Sequence, residues 1–339
     1  MHPAAELEAL LADAEELTIV CHNNPDPDCL ASAFALGRIA LAAGIDEHRI
    51  LYSGDISHQQ NRAFVNLLDI DLQPYERGAV QNRDAGELLA FVDHAVPGAN
   101  NRVPKGTPVD IVIDHHPNET IEARFVDHRE ELGATATILT EYVRELDTEI
   151  DSALGTALLF ALRRETLGFL RGTTPAEYEA AGWLHQFSDG SLLRTLSNPS
   201  VTGATVDAIA AAINNRVVRG SVLISGIGRT SERDALPQAA DYLAALEGVE
   251  TAIVFGIIDD AIQLSARSTD SRVHIGDVLS EAFSDVGSAG GHREMAGGEV
   301  SLGIFANHTE DDSQLFAMVN EVMRARLLAG LNIAVEDGA

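Results

Sequence analysis

At 339 residues, 45% of them hydrophobic and 22% charged, the chain is too long for a single core and too apolar for wholesale disorder, so two domains are expected. Its 52 acidic against 23 basic residues give a formal net charge of -29, which argues against long nucleic acid as a partner, since polyanions bind to basic stripes. Lys105 is the sole lysine. At molar salt the Debye length falls to about 3 Å and such a surface stops repelling itself, so adaptation to a salty cytoplasm is expected.

Residues 4–16 have helical spacing, and the apolar run from Leu17 to Cys21 predicts a buried strand ending at His22. A helix should follow over 28–43. Two further aliphatic runs end at Asp93 (LLAFVD) and Asp114 (VDIVID), and helical patterns cover 134–146 and 153–164. Strands alternating with helices imply an α/β domain, a parallel sheet with helices on both faces. The cluster SNPSVTG marks a hand-over between domains, which divides the chain into 1–195 and 203–332. The second part, a smaller α/β domain, offers a strand over 217–224, a helix over 235–246, paired strands over 251–267, a glycine-rich loop near Gly290 and a helix over 311–328. The last few residues form an acidic tail expected to fray. Cys21 and Cys29 lack the spacing of a zinc knuckle or a disulfide framework and are expected as buried, reduced thiols. No basic segment followed by an apolar stretch opens the sequence, and no apolar run reaches a membrane span, so a cytoplasmic location is expected.

The chemistry concentrates at strand ends. CHNNPDPDCLAS puts His22, Asp26 and Asp28 within seven residues, with Pro25 and Pro27 holding the backbone extended so that the carboxylates stay in a loop. Metal binding is one reading; a helix cap at Asp28 and a loop histidine at His22 is the other. IVIDHHPNE puts Asp114, His115 and His116 at the end of another strand. In open α/β sheets, functional groups gather beyond the carboxyl ends of strands, where both motifs should fall. Asp93 ends a third run and is preferred to Asp55, which follows a glycine and a weaker strand.

On these residues the sequence resembles the DHH phosphoesterase family, in the branch that includes oligoribonucleases, adenosine bisphosphate phosphatases and cyclic dinucleotide phosphodiesterases. HNNPDPD is similar to its first motif, Asp93 to its second, DHH at 114–116 to its third and RRETLGFLRGTTPAEYEAA to its fourth. SAGGHREMAGG is similar to the substrate loop of the DHH-associated C-terminal domain. The resemblance implies His22, Asp26, Asp28, Asp93 and His115 as metal ligands, with Asp93 bridging and His116 facing the substrate phosphate. Asp114 is expected to orient His115 by accepting its ring N–H. Where the family places an aspartate in the fourth motif, this chain has Glu165, which either ligates or pairs with Arg163 or Arg164. Gly290, Gly291, His292, Arg267 and Arg171 are the expected substrate contacts.

Carboxylates with few imidazoles suit Mn²⁺, with Mg²⁺ or Co²⁺ as alternatives, and two such ions roughly 3.5 to 4 Å apart suit phosphoryl chemistry. The expected activity is hydrolysis of a phosphoester in a short nucleotide, whether a short single-stranded oligonucleotide, a 3′,5′-bisphosphate nucleotide or a linear or cyclic dinucleotide, with neither long duplex nor membrane as partner. A pyrophosphatase-like enzyme and a non-catalytic nucleotide sensor are the alternatives, and the sequence leaves monomer and homodimer open.

Overall fold

The structure, a computed structural model, describes residues 3–56, 59–81, 83–84, 86–117, 121–198, 201–303 and 312–333. The acidic tail expected to fray lies outside them, as does part of the 197–203 hand-over. The chain divides into two compact units, Met1–Pro199 and Ser200–Ala339.

The first unit contains α1 (Pro3–Ala12), β1 (Glu16–Asn23), α2 (Pro27–Ala42), β2 (Glu47–Ser53), α3 (Gln59–Leu67), β3 (Leu72–Pro74), β4 (Glu87–Val92), β5 (Val109–Asp114) and β6 (Ala123–His128). It continues with α4 (Thr135–Glu145), α5 (Ser152–Glu165), α6 (Pro175–Leu184) and α7 (Gly190–Ser197). Its six strands lie in the order β3-β2-β1-β4-β5-β6 and every pairing is parallel. β1, β4 and β5 are nearly continuous aliphatic runs because both faces of the sheet are covered. The expected helix over 4–16 stops at Ala12, since Glu16 already pairs with Glu47 and Glu87 on either side of β1.

The cover differs between the faces. Leu17, Ile19, Leu88, Ala90, Ile111 and Ile113 meet buried side chains from α1 to α7 on one face. Val20, Leu89, Phe91 and Val112 point the other way, as alternate strand residues must, and meet Tyr75, Val80, Ala95 and Val103 from loops. Among the described residues, then, loops close the face on which the sequence reading also placed helices.

Chain order reverses between β1 and β4: β2 follows β1 on one side, while β4 and β5 follow on the other. At such a switch point the segments leaving neighbouring strands diverge and open a crevice at their carboxyl ends. His22, Asp93 and Asp114 all lie at this end.

The second unit contains α8 (Gly203–Asn214), β7 (Val217–Arg219), β8 (Val222–Arg229), α9 (Ala235–Ala244), β9 (Thr251–Ile258), β10 (Ala261–Ser268), α10 (Ile275–Phe283), β11 (Gly287–Gly291), β12 (Met295–Ser301) and α11 (Asp312–Gly330). Its mixed sheet has the order β11-β12-β10-β9-β8-β7, with only β8 and β9 parallel. Two expectations change here. The single strand over 217–224 is an antiparallel hairpin, broken by Gly220 at φ 59°. The glycine-rich stretch near Gly290 is the edge strand β11, paired with β12, so the loop shrinks to the few residues after Gly291. No helix among the described residues is long and apolar enough to cross a membrane.

Candidate metal centre

His22 is the penultimate residue of β1, with its ring buried. Its Nδ1 lies 3.0 Å from the Asn23 carbonyl, which can only accept, so the proton sits on Nδ1 and Nε2 is left as a donor atom for a cation. That Nε2 is 3.5 Å from Asp93 Oδ2 and 3.9 Å from Asp26 Oδ1. Pro27 opens α2 and Asp26 caps it, its Oδ1 accepting from the amides of Asp28 and Cys29 at 3.0 and 3.1 Å. The capping role the sequence reading weighed for Asp28 therefore belongs to Asp26, and Asp28 points inward.

Asp28 is 2% exposed, and both its oxygens are held by the first turn of α4, at 2.8 Å from the Thr135 amide and 2.8 Å from the Ala136 amide. Asp93, 3% exposed, accepts a 2.8 Å hydrogen bond at Oδ1 from the Thr135 hydroxyl. Its backbone adopts φ 64°, a left-handed conformation uncommon outside glycine, and its amide donates to the Ile113 carbonyl. His115 follows the same pattern as His22: Nδ1 faces the Leu132 carbonyl at 3.1 Å, and Nε2 lies 3.6 Å from Asp93 Oδ1 and 3.8 Å from Asp28 Oδ2. This Nε2 is buried with no hydrogen-bond partner among the described residues.

Asp114 does not orient His115. Its Oδ1 turns back on the residue two positions on, accepting from the His116 amide and from His116 Nδ1, both at 3.0 Å. An aspartate readily closes such a turn with the i+2 backbone, and His116 is thereby brought round to it. His115 is instead oriented by a main-chain carbonyl. His116 is half-exposed, and its carbonyl accepts from His128 Nε2 at 2.6 Å.

The electrostatics are those of crowded acids. Burial, together with Asp93, Asp26 and Glu165 nearby, pushes the Asp28 carboxyl well above the usual carboxylate range. Burial, Asp26 and Asp93 push Glu165 up as well. Burial works against a charged His22, but Cys29, Asp26 and Asp93 outweigh it and raise its pKa. The hydrogen bond to Asp114, opposed by burial, raises His116 to about 9. A divalent cation would relieve the mutual repulsion of the carboxylates and displace the proton from His22.

The residues present fit such an ion. Donor atoms of Asp93, His115 and His116 lie within 4.8 Å of one another, as do those of His22, Cys29 and Asp93. Asp93 belongs to both groups. Burial drives the Cys29 thiol well above its ordinary pKa, and its Sγ donates to the Val92 carbonyl, so oxygen and nitrogen donors carry the fit.

Not every expected residue converges. Glu165, at the end of α5, is paired with Arg171 at 2.9 Å, not with Arg163 or Arg164, because the chain turns back through Leu167, Gly168 and Phe169, all at positive φ. This pair occupies the Arg171 guanidinium proposed for substrate. Asp55 is exposed and outside both donor groups. In the second unit, Gly290 and Gly291 end β11, and exposed His292 turns the chain into β12, its amide donating to the Met295 carbonyl. Arg267 faces Met295 across the ladder, but its guanidinium is held by Asp241 at 2.6 Å.

The sequence reading missed the first turn of α4, His94 and Glu177. His94 is buried, stacks on Phe91 at 4.5 Å and is lowered to about 4 by burial. The Asp-His pair at 93–94 was a visible signal for it; backbone donors carry no such mark.

Comparison with known proteins adds the family. A model described as "DHH family, N-terminal domain" matches residues 16–162, and one described as "DHHA1 domain" matches 219–325. An uncharacterized protein of Methanocaldococcus jannaschii is 39% identical over 323 residues, 95% of this chain and 65% of that one. A cyclic-di-AMP phosphodiesterase of Listeria monocytogenes is 23% identical, over 86% of this chain and 45% of that one. A Bacillus pumilus protein named "Probable manganese-dependent inorganic pyrophosphatase" is 25% identical over 76% of each. The chain thus spans less than two thirds of the length of the first two relatives.

Proposed function

The chain belongs to the DHH family, and from that premise we propose that it is a metal-dependent phosphohydrolase acting on phosphoester bonds of short nucleotides. The observation that carries this reading is Asp93, shared between two donor groups, beside the buried Nε2 of His115, which has no hydrogen-bond partner among the described residues. His22, Asp26, Asp28, Asp93 and His115 would hold two divalent cations, with Mn²⁺ favoured by the oxygen-rich donor set. The name of the Bacillus pumilus relative points the same way. When bound, such ions supply Lewis acidity and lower the pKa of water toward neutrality.

The chain's own groups do the rest. The first turn of α4 keeps Asp28 and Asp93 from rotating, so they need no reorganisation to receive charge. Asp114 raises the pKa of His116 and fixes its Nδ1–H inward, which orients the ring for a role toward a phosphoryl oxygen. Glu165 is assigned to the rim of the centre, where Arg171 balances its charge. Gly290, Gly291, His292 and Arg267 are assigned to recognition of the nucleotide, and the units divide as a metal-binding domain over 1–195 and a substrate-binding domain over 203–332.

The named relatives favour two substrate classes, cyclic dinucleotide and pyrophosphate. The near absence of lysine argues against the second, because a small, highly charged anion calls for a dense set of cations. The test is hydrolysis of pApA, longer oligonucleotides, adenosine 3′,5′-bisphosphate, cyclic di-AMP and pyrophosphate by purified protein with Mn²⁺ in high salt. Turnover of a nucleotide, lost in His115→Ala, is the expected result. Turnover of pyrophosphate alone would select the other class, and binding without turnover would make the chain a sensor.

A further inference from the structure

We propose that Glu177, a residue of α6 that touches none of the assigned metal ligands, is a positioning residue for the metal centre, acting through the turn at 132–136. The proposal rests on the assignment of Asp28, Asp93 and His115 as ligands given above.

Glu177 is fully buried, and its two oxygens serve different parts of the fold. Oε2 accepts from the Thr174 amide and hydroxyl, closing the capping box of α6. That task needs one oxygen. Oε1 reaches 44 positions back in sequence and accepts from the Gly133 amide at 3.0 Å.

Gly133 has little room to move. A side-chain carbon there would lie 2.4 Å from the Gly172 carbonyl oxygen and 2.9 Å from Thr166 Cγ2, so the turn is pressed against the segment that follows Glu165. Glu177 holds it from another side. From the clamped residue the turn distributes four contacts onto three ligands. The Leu132 carbonyl accepts from His115 Nδ1, the Thr135 hydroxyl donates to Asp93, and the Thr135 and Ala136 amides donate to Asp28. A few tenths of an ångström at Gly133 would therefore be felt by all three together, whereas each ligand's own loop controls only itself.

The substitution Glu177→Met tests this role. A thioether of similar length keeps most of the volume but offers neither carboxylate acceptor, so the Gly133 amide loses its partner along with the cap. Thr174→Val is the counterpart: it removes the capping hydroxyl and leaves the Gly133 contact intact. Metal-free full-length protein is titrated with Mn²⁺, and free Mn²⁺ is followed by electron paramagnetic resonance. Circular dichroism establishes that each variant is folded.

Glu177→Met is expected to bind Mn²⁺ about tenfold more weakly, the lower end of the range for groups that orient ligands. Thr174→Val is expected to bind like the wild type although its thermal midpoint falls. Glu177→Asp, which keeps the charge with a shorter reach, is the second variant should the methionine not fold, and it should lose affinity in the same direction. Wild-type affinity in the folded Glu177 variant, or an equal loss in Thr174→Val, would reduce Glu177 to a helix cap and overturn the proposal. A wild-type chain that binds no Mn²⁺ would overturn the metal-centre reading with it.

Discussion

The two units differ in how they hold the residues proposed to bind ligands. In the first, Asp28 and Asp93 are almost wholly buried and held by donors from α4, so their positions are fixed before any ligand arrives. In the second, Gly291 and His292 lie exposed at the edge of a sheet, tied down mainly through backbone: the Ile275 and Gly276 amides hold the Arg293 and His292 carbonyls. Buried acids can be aimed only by a rigid surround, because an unpaired charge in such a place is costly. A backbone turn at an edge can yield to ligands of different size, and its side chains stay free to choose among them.

This contrast can be broken at its strong end first. His115→Ala should abolish Mn²⁺-dependent hydrolysis, a loss of about a thousandfold or more, while circular dichroism stays unchanged because the ring adds little to the core. Full activity in that variant would remove the metal assignment. Thr135→Val takes from Asp93 its hydroxyl partner without changing volume; Mn²⁺ affinity measured by calorimetry should fall by about tenfold or more, with KM for nucleotide little altered at saturating metal. His292→Ala should do the reverse. Loss of a hydrogen bond to a charged group, about 1.5 to 3 kcal/mol, predicts a KM for pApA raised by about tenfold or more at unchanged Mn²⁺ affinity. If metal binding changed instead, the division of labour between the units would be wrong.

Glu165→Asp is the mildest test. It should retain metal and part of the activity, since charge and donor type are kept and only reach is lost. Indistinguishable behaviour in both measurements would remove Glu165 from the rim of the centre and leave it only as the partner of Arg171.

Much of the first unit's candidate site was legible because its proposed ligands stand at the ends of apolar runs, where the type of residue and its place on the strand agree. Hence His22, Asp93 and His115 do converge. The role of Asp114 was not legible: two histidines follow it, and only the backbone path decides which one it holds. The α4 donors were hidden for a different reason, since main-chain amides at 135 and 136 have no signature beyond a helix start, and Glu177, although inside the fourth-motif segment, reads there as the N3 acid of a capping box. In the second unit, glycines at 287, 290 and 291 looked like a loop because turn and edge strand share that composition. The helices were also expected on both faces of the parallel sheet, but hydrophobic pattern alone does not distinguish a helix cover from the loop residues Tyr75, Val80 and Val103.

The left-handed backbone of Asp93 bears on how any mutational scan of this protein is to be interpreted. Alanine at that position would remove an acid and, at the same time, force a main-chain shape that alanine disfavours, so its phenotype would mix two causes. Asparagine tolerates the same shape and discards only the charge, while glycine relaxes the shape and discards both. The pair, compared side by side, would tell whether the position is constrained more by its geometry or by its chemistry.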